Sequence, residues 1–235
     1  MNINEQLQNL YSKHWDSLLL QLDNEVSKTH TNPLLINVDE EKLTDADMRI
    51  MIFGQETKGW WDKNGFARTV DEGMDRYKKF YCEQKFYKGY KRSAFWKGFR
   101  FFQGELNKHY KDQKISYIWN NISKIGKANG KTGVLPRIRG IERGFFPVVR
   151  EEVNIIKPDM VIFLTGPNRD HDIEFHFPDV EFSNSGTSNT KRQLAKVTSK
   201  NLPSMAIRMY HPSFYKGFDN KLKRNAVNLL TNTSI

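Results

Sequence analysis

The sequence predicts an α/β fold: a three-layer α/β/α arrangement around a central, mostly parallel sheet. Three observations carry this. Met48 to Phe53, Ile115 to Trp119, Met160 to Leu164 and Ser204 to Met209 are short apolar runs of strand length, with the composition of strands buried in a parallel sheet. Longer stretches between them place apolar residues three and four apart, the spacing of a helix with one buried face. Each short run is closed by Gly, Asn or a Pro-containing turn, the punctuation expected where a strand ends. The alternation of the two patterns argues for layered α/β packing.

Taken in order, Ile3 to Leu22 carries Leu7, Leu10, Trp15, Leu18, Leu19 and Leu22 at helical intervals. Pro33 interrupts helix and opens a connector. The first strand, Met48 to Phe53, runs into Gly54, and residues 54–65 form a loop with two glycines and two tryptophans. Helices are expected over Thr69 to Tyr87 and Ser93 to His109, although Gly98 and Gly104 weaken the second. The second strand ends at Trp119, closed by Asn120 and Asn121. Residues 126–143 read as a long loop or a set of short pieces. Phe146 to Ile156 is helical and stops at Lys157-Pro158-Asp159. After the Met160 to Leu164 strand, residues 170–185 alternate aromatic and acidic side chains, as in a hairpin. Lys191 to Thr198 reads as helix or turn, Ser204 to Met209 as the fourth strand, and Phe218 to Leu230 as a last helix. The expected organisation is one domain over residues 1–235, with residues 1–45 as an N-terminal helical extension.

Aromatic residues make up 13% of the chain and hydrophobic ones 38%, enough for an ordered core rather than a disordered chain. The longest apolar runs are strand-sized, so no membrane span is expected. Residues 1–8 have neither the basic start nor the apolar stretch of a secretory signal. Cys82 is the single cysteine, and together these features suggest a cytoplasmic setting. No Cys-x-x-Cys pair, tight ligand spacing, dinucleotide fingerprint or P-loop occurs, so no metal, iron–sulfur cluster or other cofactor is expected. The formal charge of +10 is unevenly spread: residues 1–67 carry 6 basic and 11 acidic groups, 68–111 carry 12 and 5, 112–190 carry 10 and 10, and 191–224 carry 9 and 1. Two segments hold the positive excess. They are read either as one basic face for a phosphate backbone or as ordinary solvated surface.

Polar residues follow all four strands: Gln55 and Glu56 the first, Asn120 and Asn121 the second, Thr165 to Asn168 the third, His211 to Ser213 the fourth. Ligands of open α/β sheets sit beyond the carboxyl ends of the strands. A carboxylate, an amide and an imidazole delivered to those ends could therefore serve one site although they lie far apart in sequence.

These residues carry a family resemblance. Gly54-Gln55-Glu56 resembles the Gly-Gln-Asp turn of uracil-DNA glycosylases, Tyr117-Ile118-Trp119-Asn120 looks like their second strand ending in a base-reading asparagine, and His211-Pro212-Ser213 matches their late His-Pro-Ser signature. Lys157-Pro158-Asp159, the strand after it and Gly166 resemble the element between. The resemblance spans residues 48–213 and implies a uracil-DNA glycosylase-like fold. It further implies that Glu56 orients water and faces the sugar, that His211 donates to the base oxygen as the bond breaks, and that Asn120 and Gln55 contact a flipped base. Phe66 would stack on that base, with Trp60 and Trp61 competing for the role. Three positions differ from the pattern. Glu56 is one methylene longer than Asp, Thr57-Lys58-Gly59-Trp60-Trp61 replaces a Pro-Tyr pair, and Phe214-Tyr215 stands where the duplex wedge begins.

The chemistry is coherent on its own terms: a donor beside the departing base oxygen helps most in the transition state, and a carboxylate suits an oxocarbenium-like sugar. A flipped base needs a stacking ring and an edge-reading amide. Ser213, Lys191, Arg192 and Lys216 are candidates for the nucleic-acid backbone. The expected function is a DNA glycosylase hydrolysing the N-glycosidic bond of uracil or a related altered base, with single- or double-stranded DNA as partner. The alternative is a catalytically inactive domain of the same fold binding nucleic acid or a nucleotide-like ligand.

Overall fold

The structure is a computed structural model that describes residues 1–25, 29–60, 67–83, 90, 92–214 and 216–231. The chain forms two compact units, the first from Met1–Glu40, Gln55–Lys85 and Asn121–Ile156, the second from Glu41–Gly54, Phe86–Asn120 and Lys157–Ile235.

The second unit holds a six-stranded mixed sheet of β1 (Met48–Gly54), β2 (Ile115–Asn121), β3 (Met160–Phe163), β4 (Glu181–Asn184), β5 (Leu194–Thr198) and β6 (Met205–Met209), in the order β2-β1-β3-β6-β5-β4. β1 pairs parallel with β3, and β3 parallel with β6, with Ile52 opposite Ile162 and Ile162 opposite Ile207. Both middle strands are apolar because both of their faces are covered: Ile50 to Phe53 and Met160 to Leu164 are fully buried. Phe53 stacks on Phe163 with ring centroids 4.8 Å apart. The helices flanking this sheet include α4 (Ala94–His109) and α8 (Asn220–Leu230), and α8 packs on β6 and α4. A short helix, α2 (Glu40–Thr44), precedes β1.

The sheet is mixed: at its other edge β5 runs antiparallel to β6, and β4 antiparallel to β5. Residues 191–198 are therefore a strand, not helix or turn. The signal was period two: Leu194, Ala195 and Val197 are buried while Lys196 and Thr198 face out. Residues 170–185 do not form a hairpin. Pro167 opens a 3-10 turn into α7 (Asp170–His176), which buries Ile173 and His176, and only the exposed edge strand β4 follows.

The first unit is helical. α1 (Ile3–Asp23) starts at a capping box formed by Asn2 and Glu5, and buries Leu7, Leu10, Tyr11, Trp15, Leu18 and Leu22. It packs on α3 (Val70–Tyr77), α5 (Pro136–Phe145) and α6 (Val149–Ile156), so this N-terminal helix belongs to the body of its unit. Phe146 closes against Tyr11 and Trp15 at 5.9 and 6.3 Å. α3 passes into a π-helical turn, Lys78–Cys82. α5 falls largely within residues 126–143, expected as a long loop or a set of short pieces. Pro136 occupies the first turn, where its missing N–H costs nothing.

Two apparent flaws in α4 differ in kind. A Cβ at Gly98 would come within 2.5 Å of Pro212 Cγ, so glycine lets the helix close on the turn after β6, whereas a Cβ at Gly104 would meet nothing within 4 Å. Gly104→Ala is therefore expected to raise stability by about 0.5–1 kcal/mol, the helix-interior difference between the two residues. Gly98→Ala should lower it by roughly 1–3 kcal/mol through overpacking. Urea midpoints of the two variants against the parent check both signs.

Candidate functional site

The strand order has a reversal point. The chain leaves β1 for β2 on one side and later enters β3 on the other, and ligands of open α/β sheets favour the crevice outside the carboxyl ends at such a point. Backbone bonds continue past the strands there. Leu164 N–H donates to Phe53 O and Gly166 N–H to Met209 O, each at 2.9 Å. Gly166 has φ 73°, and a Cβ on it would lie 3.4 Å from His211 N. The glycine thus lets the end of β3 close on the His-Pro-Ser turn after β6.

His211 is half-buried in that turn. The backbone N–H of Ser213 donates to its Nδ1 at 3.1 Å, and the Ser213 hydroxyl lies 2.7 Å from the same nitrogen. A backbone N–H can only donate, so Nδ1 is the acceptor and the neutral ring carries its proton on Nε2. Burial, and then the Arg169 guanidinium, hold the imidazolium down to a pKa of about 4. Arg169 is itself largely buried at the end of the 3-10 turn, with its Nη1 3.8 Å from Asp172 Oδ2. Beside it, Arg208 reaches Asp170 from two nitrogens, each 2.9 Å from a carboxylate oxygen, and donates to the Arg192 carbonyl at 2.8 Å. This anchors the first residue of α7 and, with it, the adjacent Arg169.

The other sequence-predicted residues are placed as follows. Asn120 is fully buried, with Nδ2 3.8 Å from Met51 Sδ. It lies within β2 rather than after it, because the strand continues to Asn121. Ser213, Lys191, Arg192 and Lys216 are exposed in the second unit, and Arg192 Nη2 donates to Asn168 Oδ1 at 3.3 Å. Gln55 and Glu56 are half-buried in the first unit. Ser123 N–H donates to Gln55 O at 2.9 Å, and Gly133 N–H to Glu56 Oε1 at 2.5 Å. Trp60 is buried there, edge-on to Phe80 at 5.4 Å, and its carbonyl accepts from Asn32 N–H at 3.2 Å. Phe66 and Trp61 lie outside the described residues.

Sequence reading missed Arg169. Its signal was available, a cation six residues after the end of β3, but nothing in sequence ties it to His211. A separate cavity of about 350 Å³ in the second unit lies between α4 and α8, lined by Phe101, Glu105, Lys223 and Arg224 among others, and includes none of the predicted site residues. Among the described residues no group of three His, Cys, Asp or Glu side chains is placed to hold a metal ion, and no helix is long and apolar enough to cross a membrane. No protein-family model matches the chain, and no curated protein sequence matches it significantly.

The His211 arrangement has a pH signature. An unfolded chain takes up a proton near pH 6.5, whereas the folded ring does so only near pH 4. Stability is therefore expected to fall as pH drops through that window, and His211→Gln should flatten this part of the stability curve. In an NMR titration the ring of His211 should stay neutral at pH 5.5, and Arg169→Gln should move its midpoint upward.

Proposed function

We propose that the chain is a DNA glycosylase that hydrolyses the N-glycosidic bond of uracil or a related altered base, on a uracil-DNA glycosylase-like three-layer fold. The observation that carries this is His211, a neutral imidazole held by Ser213 with Nε2–H as its donor, after the last parallel strand. In this reaction the C1′–N bond breaks, its electron pair leaves with the base, and water adds to C1′ with loss of a proton. Charge then collects on the base oxygen, where a fixed N–H donor stabilises the transition state more than the ground state. A neutral donor keeps its proton while doing so. Arg169 adds a positive field beside it.

Glu56 takes the water-orienting role by its correspondence to the family's aspartate, and Asn120 and Gln55 take the base-reading roles by theirs. Parallel β1, β3 and β6, followed respectively by Gly54-Gln55-Glu56, Thr165-Gly166 and His211-Pro212-Ser213, support the fold assignment. Exposed Lys191, Arg192 and Lys216 suit a phosphate backbone, so binding to DNA is expected to weaken steeply with salt.

One observation favours the second reading, a catalytically inactive domain of this fold that binds nucleic acid or a nucleotide-like ligand. The Glu56 carboxylate already accepts from the Gly133 amide, a contact that competes with holding water.

Labelled single- and double-stranded oligonucleotides containing uracil or hypoxanthine, treated with alkali after incubation, separate the two. The parent protein should leave abasic sites that alkali cleaves. His211→Ala, which removes a donor, and Glu56→Gln, which removes a negative charge, should each slow this by roughly a hundredfold or more, the scale for losing one electrostatic contact to the transition state. A parent protein that binds every oligonucleotide in a salt-sensitive way and cleaves none selects the second reading.

A further inference from the structure

We propose that the buried Lys124–Glu152 ion pair is a positioning device for the Gln55-Glu56-Thr57 turn. The inference rests on the reading that this turn carries a working carboxylate, and every residue involved lies within the first unit.

Lys124 and Glu152 side chains are both fully buried. Lys124 Nζ lies 2.7 and 3.0 Å from the two carboxylate oxygens of Glu152 on α6. Tyr11 on α1 donates its hydroxyl proton to Glu152 Oε1 at 2.7 Å and accepts from Ile36 N–H at 3.0 Å. Burial alone pushes the ammonium toward neutrality and raises the Tyr11 phenol, while the Glu152 carboxylate counters the former. Taking two ions out of water costs several kcal/mol each, and well-packed apolar residues of similar volume are often as stable or more so. Stability therefore does not explain why charge stands here. Direction does, because an ammonium gripped by one carboxylate fixes the backbone that carries it in a way an apolar side chain does not.

That backbone is the segment after β2, and it is held on two sides. On one side Glu142 of α5 accepts from Lys124 N–H at 2.7 Å and Ile125 N–H at 3.1 Å, while Leu34 N–H donates to Lys124 O at 2.9 Å. On the other side the segment grips the turn. Ser123 N–H donates to Gln55 O at 2.9 Å. Gly126 N–H donates to Thr31 Oγ1 at 2.9 Å, and Thr31 Oγ1 lies 2.7 Å from Thr57 Oγ1. Residues 55 and 57, on both sides of Glu56, are thus tied to one segment whose lysine is locked into the helices. Small displacements of a reacting group are costly, on the order of a hundredfold in rate for 1 Å, and this is the error such a lock suppresses.

The test compares the parent with Lys124→Met and with Lys124→Met/Glu152→Leu. The single variant strands a buried carboxylate and is expected to lose stability; the double variant removes both charges and is expected to fold. Amide hydrogen exchange read at Ser123 in the folded double variant should accelerate by about tenfold or more, with the Ile162 amide of β3 unchanged. If the parent releases bases, the double variant should lose about tenfold or more in kcat with KM retained. A folded double variant with parental protection at Ser123 overturns the proposal, and so does one with parental kcat. A parent protein without glycosylase activity defeats the functional reading instead and leaves the exchange measurement to decide the positioning role. Should the double variant fail to fold, Tyr11→Phe, which removes one bond to Glu152 and keeps both charges, must accelerate Ser123 exchange by a smaller factor; no change there also overturns the proposal.

Discussion

Parallel pairing through β1, β3 and β6 is the constraint on which the second unit depends. Once Ile50 faces Met160 and Met160 faces Met205, the three strands share a direction and their carboxyl ends share an edge. At the opposite edge the register is locked by a reciprocal pair: Arg49 N–H donates to Asp159 Oδ2 and Asp159 N–H to Arg49 O, each at 2.8 Å. A one-residue slip would break both bonds and turn alternate side chains to the wrong face. The position of His211 against Gly166 depends on the neighbouring pair, β3 with β6, whose register Gly166 N–H extends by donating to Met209 O at 2.9 Å.

The two units solve burial of charge in related ways. In the first, Lys124 and Glu152 form a closed ion pair with a tyrosine as third member. In the second, Arg208 is almost wholly buried, yet its guanidinium spans Asp170 and a backbone carbonyl and lies 5.5 Å from the Phe182 ring centroid. A planar fork suits the second place because it joins a carboxylate on α7 to the carbonyl that leads into β5. A point charge suits the first because one carboxylate meets it from one direction. Breaking such a pair by removing one partner costs about 3–5 kcal/mol as a rule. In both units a buried cation fixes segments that carry candidate site residues.

How far sequence reached follows from the same physics. β1, β2, β3 and β6 were legible in the sequence, three of them from near-continuous apolar runs such as MVIF, which only double-sided burial explains. β4 was legible only as part of a hairpin expected over residues 170–185, because an edge strand of Glu181, Phe182, Ser183 and Asn184 has little to bury. β5 was hidden by Lys196, which reads as helix surface until alternation is counted. α5 is hidden because residues 126–143 hold Gly, Pro and basic residues without a clean helical period, although Pro136 marks the start of the helix. In the site, His211 and Ser213 were legible as letters in a turn. The tautomer was not, since it depends on which atom the Ser213 amide meets, and Arg169 was not, since its influence on His211 acts through space. At Asn120 only the strand boundary differs. Two asparagines after an apolar run read as punctuation, but the strand continues through them and both are buried.

The state of His211 follows from its neighbours. A protonated ring would place a second positive charge beside Arg169 in a half-buried turn, and Ser213 would have to give up the bond from its backbone N–H to Nδ1. Both effects act in the same direction, so the ring is neutral over the range where unperturbed histidines titrate. Neutrality divides the labour at this strand end. Arg169 supplies long-range positive field, suited to a phosphate or to a base leaving with its electron pair, while His211 supplies a short-range donor that does not change with moderate acidity. A single cationic histidine would have combined the roles and lost the positive field as pH rose. Two residues, one always charged and one held neutral, keep the donor and the field present together, and the glycine at 166 is what lets the strands bring that turn close.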